Sequence, residues 1–137
     1  MCEVKLLNDF SGGTLERIAG FYISAGWIAP DGDREFLFPA LRGSFMVAGA
    51  FADGKIAGIA RVLSDGCSDA YIQDVVVAPE YRGRGIGQQL VNFLTSELKK
   101  CGIDWIGLVG EPGTEEFYRK LKWVAQPGFL LWKAPEN

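Results

Sequence analysis

The most constraining stretch of the chain lies over residues 75–94, where Val-Val-Val-Ala-Pro-Glu-Tyr leads into Arg-Gly-Arg-Gly-Ile-Gly and then Gln-Gln-Leu-Val-Asn-Phe-Leu. The β-branched run Val75, Val76, Val77 suits a central strand, and Pro79 ends it because proline has no amide to donate. Beyond the glycines, Ile86, Leu90, Val91, Leu94 and Leu98 recur at helical spacing, and Lys99, Lys100 and Gly102 supply a C-terminal stop. A strand passing through glycines into an amphipathic helix calls for a sheet with helices packed on it.

The start of that helix is chemically pointed. Its first amides have no intrahelical partner, and the helix dipole adds positive potential at the same place, so an anion is favoured there. Gly83, Gly85 and Gly87 let a bulky anion reach the backbone without a Cβ in the way, and Arg82 and Arg84 add charge. A diphosphate suits this arrangement best. A Walker loop needs Lys and then Ser or Thr after its last glycine, whereas Gln88 and Gln89 stand here. A dinucleotide fingerprint needs G-x-G-x-x-G early in a βαβ unit and an acid ending the next strand. Here the spacing is G-x-G-x-G, past the middle of the chain, and Asp104 opens the next strand.

Around this segment the reading is one continuous domain over residues 1–137. A strand over 3–7 leads to a helix from near Thr14 to Gly26, with Leu15, Ile18, Phe21 and Tyr22 on one stripe. A weaker helix spans 33–41, interrupted at Pro39. Strands over 44–52 and 55–63 flank Asp53-Gly54, a type I′ hairpin signal, and Ser64-Asp65-Gly66 turns the chain into the strand ending at Val77. After the glycine-led helix come a strand over 103–110 and a helix over 114–123. A final pair of strands over about 123–133 turns at Pro127-Gly128. The fold class is α/β, a mixed sheet flanked by helices.

Composition removes several kinds of chemistry. With no histidine in the chain, imidazole zinc sites, the Ser-His-Asp triad and the Cys-His pair are excluded, and no metal site is expected. A net charge of −3 argues against nucleic acid or an anionic membrane as partner and favours a cationic small molecule. Cys2, Cys67 and Cys101 are widely spaced and odd in number, which points to a reducing, cytoplasmic setting. No apolar run reaches the length of a signal segment or of the roughly 18 residues that a membrane helix needs.

The glycine segment resembles the coenzyme A loop of the GNAT superfamily, Arg or Gln, two residues, Gly, one residue, Gly or Ala, matched by Arg82, Gly85 and Gly87. Val77-Ala78-Pro79-Glu80-Tyr81 is similar to that family's strand exit, and residues 113–123 resemble its Phe-Tyr segment one strand later. Together the likeness covers residues 70–123, with the first half matching in element order. Two positions depart: Glu111 stands where an Asn is common, which puts a coenzyme A hydrogen bond in doubt, and Lys122 stands where a Gly precedes the final aromatic, which suggests an altered turn.

The resemblance implies a GNAT fold with a mostly antiparallel sheet that splays beside the cofactor strand. It also implies an acetyltransferase using acetyl-coenzyme A, with a small-molecule or protein amine as acceptor; relatives often form dimers. The backbone over Arg82, Gly83, Arg84, Gly85, Ile86, Gly87 and Gln88 would hold the pyrophosphate, and Val75, Val76 and Val77 would pair with the pantetheine arm. An amide near Val76 would polarise the thioester carbonyl while a neutral amine attacks directly, and Tyr118, with Phe117 beneath it, would protonate the leaving thiolate. For the amine's proton the acceptor is water, oriented by Gln73 and Tyr71 or relayed to an acid such as Asp74. Strand parity sets Tyr71 and Gln73 on the face of Val75 and Val77, with Asp74 opposite unless a bulge inverts it. Trp27 and the aromatics Phe36 and Phe38 lie where relatives bind acceptors, although core packing is the commoner fate of such residues. A non-catalytic acyl-coenzyme A sensor or regulatory module is the alternative.

Overall fold

Asp53 and Gly54 both take left-handed backbone, with φ of 53° and 73°, the type I′ geometry whose twist matches the strands it joins. The computed structural model describes residues 2–136 and builds its sheet outward from this turn. Strands β2 (Met46–Ala52) and β3 (Lys55–Ser64) form the hairpin, with β1 (Glu3–Leu6) outside β2. Beyond β3 lie β4 (Asp69–Val77) and then β5 (Trp105–Leu108), giving the order β1-β2-β3-β4-β5. The first four strands are antiparallel, and β4 and β5 are parallel. A parallel pair needs a crossover, supplied by α3 (Ile86–Lys100). Helices α1 (Gly13–Ser24) and α2 (Leu37–Gly43) precede the hairpin, and α4 (Glu115–Lys120) follows β5.

Helical spacing becomes packing in α3, where Leu90, Val91, Leu94 and Leu98 are all fully buried. Small strand residues let that helix come close: a Cβ on Gly58 would lie 3.3 Å from Leu90 Cδ1 and 2.8 Å from the Val76 carbonyl oxygen. Gly58 thus faces α3. Arg61, three residues on and so on the opposite face of β3, reaches Asp74, as does Tyr22 of α1. Ile18 and Tyr22 of α1 are buried on that second face, so the sheet is covered on both sides.

Three expectations change. Pro39 does not interrupt a helix over 33–41; α2 begins later, at Leu37, and Pro39 sits in its first turn, where a missing amide leaves no bond unmade. β5 and α4 are shorter than the strand over 103–110 and the helix over 114–123 that their patterns predict. Most clearly, no strand forms between residues 123 and 133. The turn there exists, with Phe129 N donating to Gln126 O at 3.1 Å, but Phe129, Leu130, Leu131 and Trp132 are 72–83% exposed. A two-stranded ribbon is marginal unless it docks, and the sheet ends at β5. Lys122 takes φ 69°, the conformation that favours glycine, with its amide on Arg119 O at 2.9 Å.

Leu94→Ala is expected to lower stability by about 2–5 kcal/mol, through lost burial and the cavity left behind. Lys122→Gly is expected to raise it by about 1 kcal/mol by relieving left-handed strain. Urea unfolding of both variants beside the parent checks the two signs together.

Candidate active site

The parallel ladder between β4 and β5 runs from Asp69↔Trp105 to Ile72↔Leu108 and ends there, although β4 itself continues to Val77. Just past that point Asp74 adopts φ 55°. On its other side β4 pairs Gln73 with Arg61 and Val76 with Ile59, so that Asp74 and Val75 together oppose Ala60. This is a β-bulge, two residues against one, and it resets which side chains share a face. Residues 59, 61 and 63 of β3 lie on one face, so their partners Val76, Gln73 and Tyr71 lie there too. Val77, opposite Gly58, lies on the other. Tyr71 and Gln73 therefore do not share the face of Val77, as unbroken parity would have it, and the bulge turns the Asp74 carboxylate toward the α1 side.

Asp74 is tightly held. Its Oδ2 accepts from Arg61 Nε at 2.6 Å and from the Tyr22 hydroxyl at 2.7 Å, and Arg61 also reaches the Gln73 side-chain oxygen at 3.5 Å. Burial, reinforced by the negative charge of Asp74, pushes the Tyr22 phenol far above its ordinary value, so it remains a neutral donor.

Where β4 and β5 part, a cavity of about 280 Å³ opens, lined by Tyr71, Gln73, Asp74 and Val75 of β4, Leu108 of β5, Val109, Glu111, Thr114, Tyr118 of α4 and Trp27. The four side chains singled out as candidate catalytic groups thus meet in one space. The ring of Tyr118 stands edge-on to Phe117, centroids 4.9 Å apart. Burial, and then the negative charge of Glu111, raise the Tyr118 pKa. The phenol therefore stays protonated throughout the neutral range. Tyr71 packs on Trp105 at 5.5 Å. Phe36 and Phe38 are half exposed and do not line this cavity. Cys67 is outside it too, in an exposed turn where Asp65 raises its thiol pKa.

The glycine loop lies at the far end of β4. Gly83 and Gly85 take φ of 77° and 78°, and a Cβ at either would meet nothing within 4 Å. The α3 N-terminus has no side-chain cap and no acid in its first turn. Gln89 N makes the first helical bond, to Gly85 O at 3.1 Å, so the amides of Ile86, Gly87 and Gln88 precede the ladder and are open to an anion. Arg82 is tied to the Val77 carbonyl at 3.1 Å and Arg84 to that of Glu80 at 3.4 Å, which fixes both stems beside the loop. A Cβ on Gly87 would lie 3.3 Å from Phe117 Cζ and 3.8 Å from Val77 Cγ2, so the loop and the Tyr118 helix are in contact.

Two lining residues were not legible as site groups. Glu111 entered only as a departure from a pattern and Trp27 only as an aromatic of uncertain fate, yet Trp27 Nε1 donates to Glu111 Oε1 at 3.1 Å across the mouth of the cavity.

Residues 14–123 match the acetyltransferase (GNAT) family. The chain belongs to that family. The match reaches back to Thr14, so the first half of this GNAT domain shares the kinship that its sequence disclosed only from residue 70 onward. Over 76 residues the chain is 37% identical to an uncharacterized N-acetyltransferase of Pyropia yezoensis, covering 56% of this chain and 44% of that protein. Over 74 residues it is 35% identical to the chloroplastic serotonin N-acetyltransferase 2 of Oryza sativa subsp. japonica, covering 54% and 37%. The chain thus spans less than half the length of these curated relatives. A GNAT family acetyltransferase from Streptococcus pneumoniae superposes with a TM-score of 0.79 at 25% identity, over 99% of this chain and all of that one. An aminoglycoside acetyltransferase from an uncultured soil sample, solved with sisomicin, reaches 0.78 at 17% identity over 99% and 97%, a likeness of fold.

Asp74→Asn keeps a residue that tolerates left-handed backbone while removing the charge that Arg61 and Tyr22 grip. It is expected to cost about 1.5–3 kcal/mol, the worth of hydrogen bonds to a charged group. Unfolding in urea checks this, and a change below about 0.5 kcal/mol would mean that the bulge does not depend on the ion pair.

Proposed function

We propose that this GNAT domain transfers an acetyl group from acetyl-coenzyme A to a primary amine, with both substrates bound at once. One observation carries the reading: the uncapped α3 N-terminus and the Tyr118 cavity lie along the same stretch of β4, joined by the Val77–Gly87–Phe117 contact. The residues fit the donor. Open amides over 86–88 and the cations of Arg82 and Arg84 suit a diphosphate, and the edge of Val75, Val76 and Val77 that β5 leaves unpaired suits an amide-bearing arm. That free edge also supports a splay of the sheet. Acetyl-coenzyme A, when bound, supplies an acetyl group activated as a thioester.

The chain's own groups divide the remaining work. A backbone amide near Val76 that faces the edge left unpaired by β5 is the donor toward the carbonyl oxygen, where a fixed dipole stabilises developing negative charge. Tyr118 holds a proton at its hydroxyl for the departing sulfur, and its raised pKa keeps that proton in place until it is needed. Gln73 and Tyr71 orient the water that takes the proton from the amine. Asp74, whose Oδ2 is occupied by Arg61 and Tyr22, relays through its other oxygen.

Thermal unfolding with acetyl-coenzyme A tests the donor site. A ligand that binds only the folded chain adds about 2.7 kcal/mol at a hundredfold excess over its Kd, and adenosine diphosphate should add less. No shift at millimolar acetyl-coenzyme A would end the proposal, and a shift without thiol release for any amine would favour a non-catalytic sensor. Tyr118→Phe is expected to lower kcat by about 10²-fold or more while leaving the acetyl-coenzyme A shift in place. Because the phenol is raised, the parent's rate should show no alkaline fall from this group below about pH 10.

A further inference from the structure

The cavity holds two carboxylates in unlike states. Asp74 is neutralised by Arg61 at 2.6 Å and is further bonded to Tyr22. Glu111 is exposed, and among the described residues no Lys or Arg lies within ion-pairing distance of it. It is nevertheless fixed. Its backbone carbonyl accepts from Thr114 Oγ1 at 2.6 Å and from Thr114 N at 3.1 Å in the turn that starts α4, while Trp27 Nε1 holds its Oε1 from the segment after α1. The second carboxylate oxygen is not engaged by that bond. The aromatic residues Trp27, Tyr71 and Tyr118 line the same cavity as Glu111. An uncompensated carboxylate among aromatic faces is a receptor for an organic cation, by charge and by cation–π attraction together.

We infer that Glu111, oriented by Trp27, is the specificity residue for the acceptor and binds it as a primary ammonium on a small apolar or aromatic stem. The inference rests on the amine-acetylation reading for its place in a reaction, but the binding itself does not require acetyl-coenzyme A. Size argues for a small molecule, since about 280 Å³ is near the lower end of ligand pockets. Primary amines are almost wholly protonated at neutral pH, so the free species that meets the site is the cation. The charge of Glu111 is also felt at the Tyr118 phenol, which burial first and Glu111 second raise above its ordinary value.

Calorimetric titration of the chain with phenethylamine, and with 2-phenylethanol as its uncharged counterpart, at pH 7 and without acetyl-coenzyme A, tests this. The parent should bind the ammonium at least tenfold more tightly than the alcohol, with affinity falling as sodium chloride rises. Glu111→Gln, which keeps an oxygen for Trp27 but removes the charge, should abolish both the preference and the salt dependence, with an unchanged unfolding midpoint showing that it is folded. Equal binding of amine and alcohol by the parent, no binding of either, or a preference that survives in Glu111→Gln would each overturn the assignment. If the ammonium binds as expected yet no amine releases thiol when acetyl-coenzyme A is added, the cation site stands and the acetyl-transfer reading fails.

Discussion

A single carboxylate sets the geometry on which the site is built. Asp74 occupies left-handed backbone within a strand, a conformation that costs a non-glycine residue about 1–2 kcal/mol. Two hydrogen bonds to its Oδ2, from Arg61 on the neighbouring strand and Tyr22 on α1, are of a size to offset that cost. With Asp74 so held, two residues of β4 face one of β3, and β4 leaves its register with β5 after Ile72. The unpaired edge of Val75–Val77, the cavity beside it and the inverted facing of Asp74 all follow from this bulge.

The second half of the site is coupled to the first by close packing rather than by charge. Gly87 lies where a Cβ would press on Phe117, and Phe117 is edge-on to Tyr118. The helix that offers its amides to an anion is thus braced against the helix that carries the phenol, and both meet the end of β4 at Val77. Since α3 is anchored by four fully buried side chains, the position of its N-terminus is fixed by the core. An anion held there and an acyl group near Tyr118 would be placed by the same rigid elements, which is what orientation-dependent chemistry requires.

Charge is divided by burial. Asp74, partly buried, needs its cation and becomes a structural element, whereas Glu111, exposed at the mouth, can afford to stay unpaired and available. The same principle separates the two tyrosines: both have raised pKa values through burial, but Tyr22 donates to Asp74 inside the protein, while Tyr118 lines the cavity.

Much of this was local and therefore readable. Asp53-Gly54 encodes its turn because only small or polar residues accept left-handed backbone twice in succession, and Leu90, Val91, Leu94 and Leu98 encode α3 because helical period alone selects the buried stripe. The open amides at the start of α3 were readable for the same reason, since unpartnered amides belong to any helix start. What the sequence could not hold was non-local. The strands expected between residues 123 and 133 had apolar residues and a turn but do not join the outer edge of β5, and the bulge at Asp74 arises from Arg61 and Tyr22, 13 and 52 residues away along the chain. Glu111 became a site residue only when Trp27, 84 positions distant, was folded against it. The sequence by itself determined the hairpin turn, the buried stripe of α3 and the open amides at its start, because those depend on neighbours within a few residues. The tertiary structure alone decided which carboxylate is neutralised and which is free, because that depends on the charges and hydrogen-bond donors the fold brings within a few ångströms.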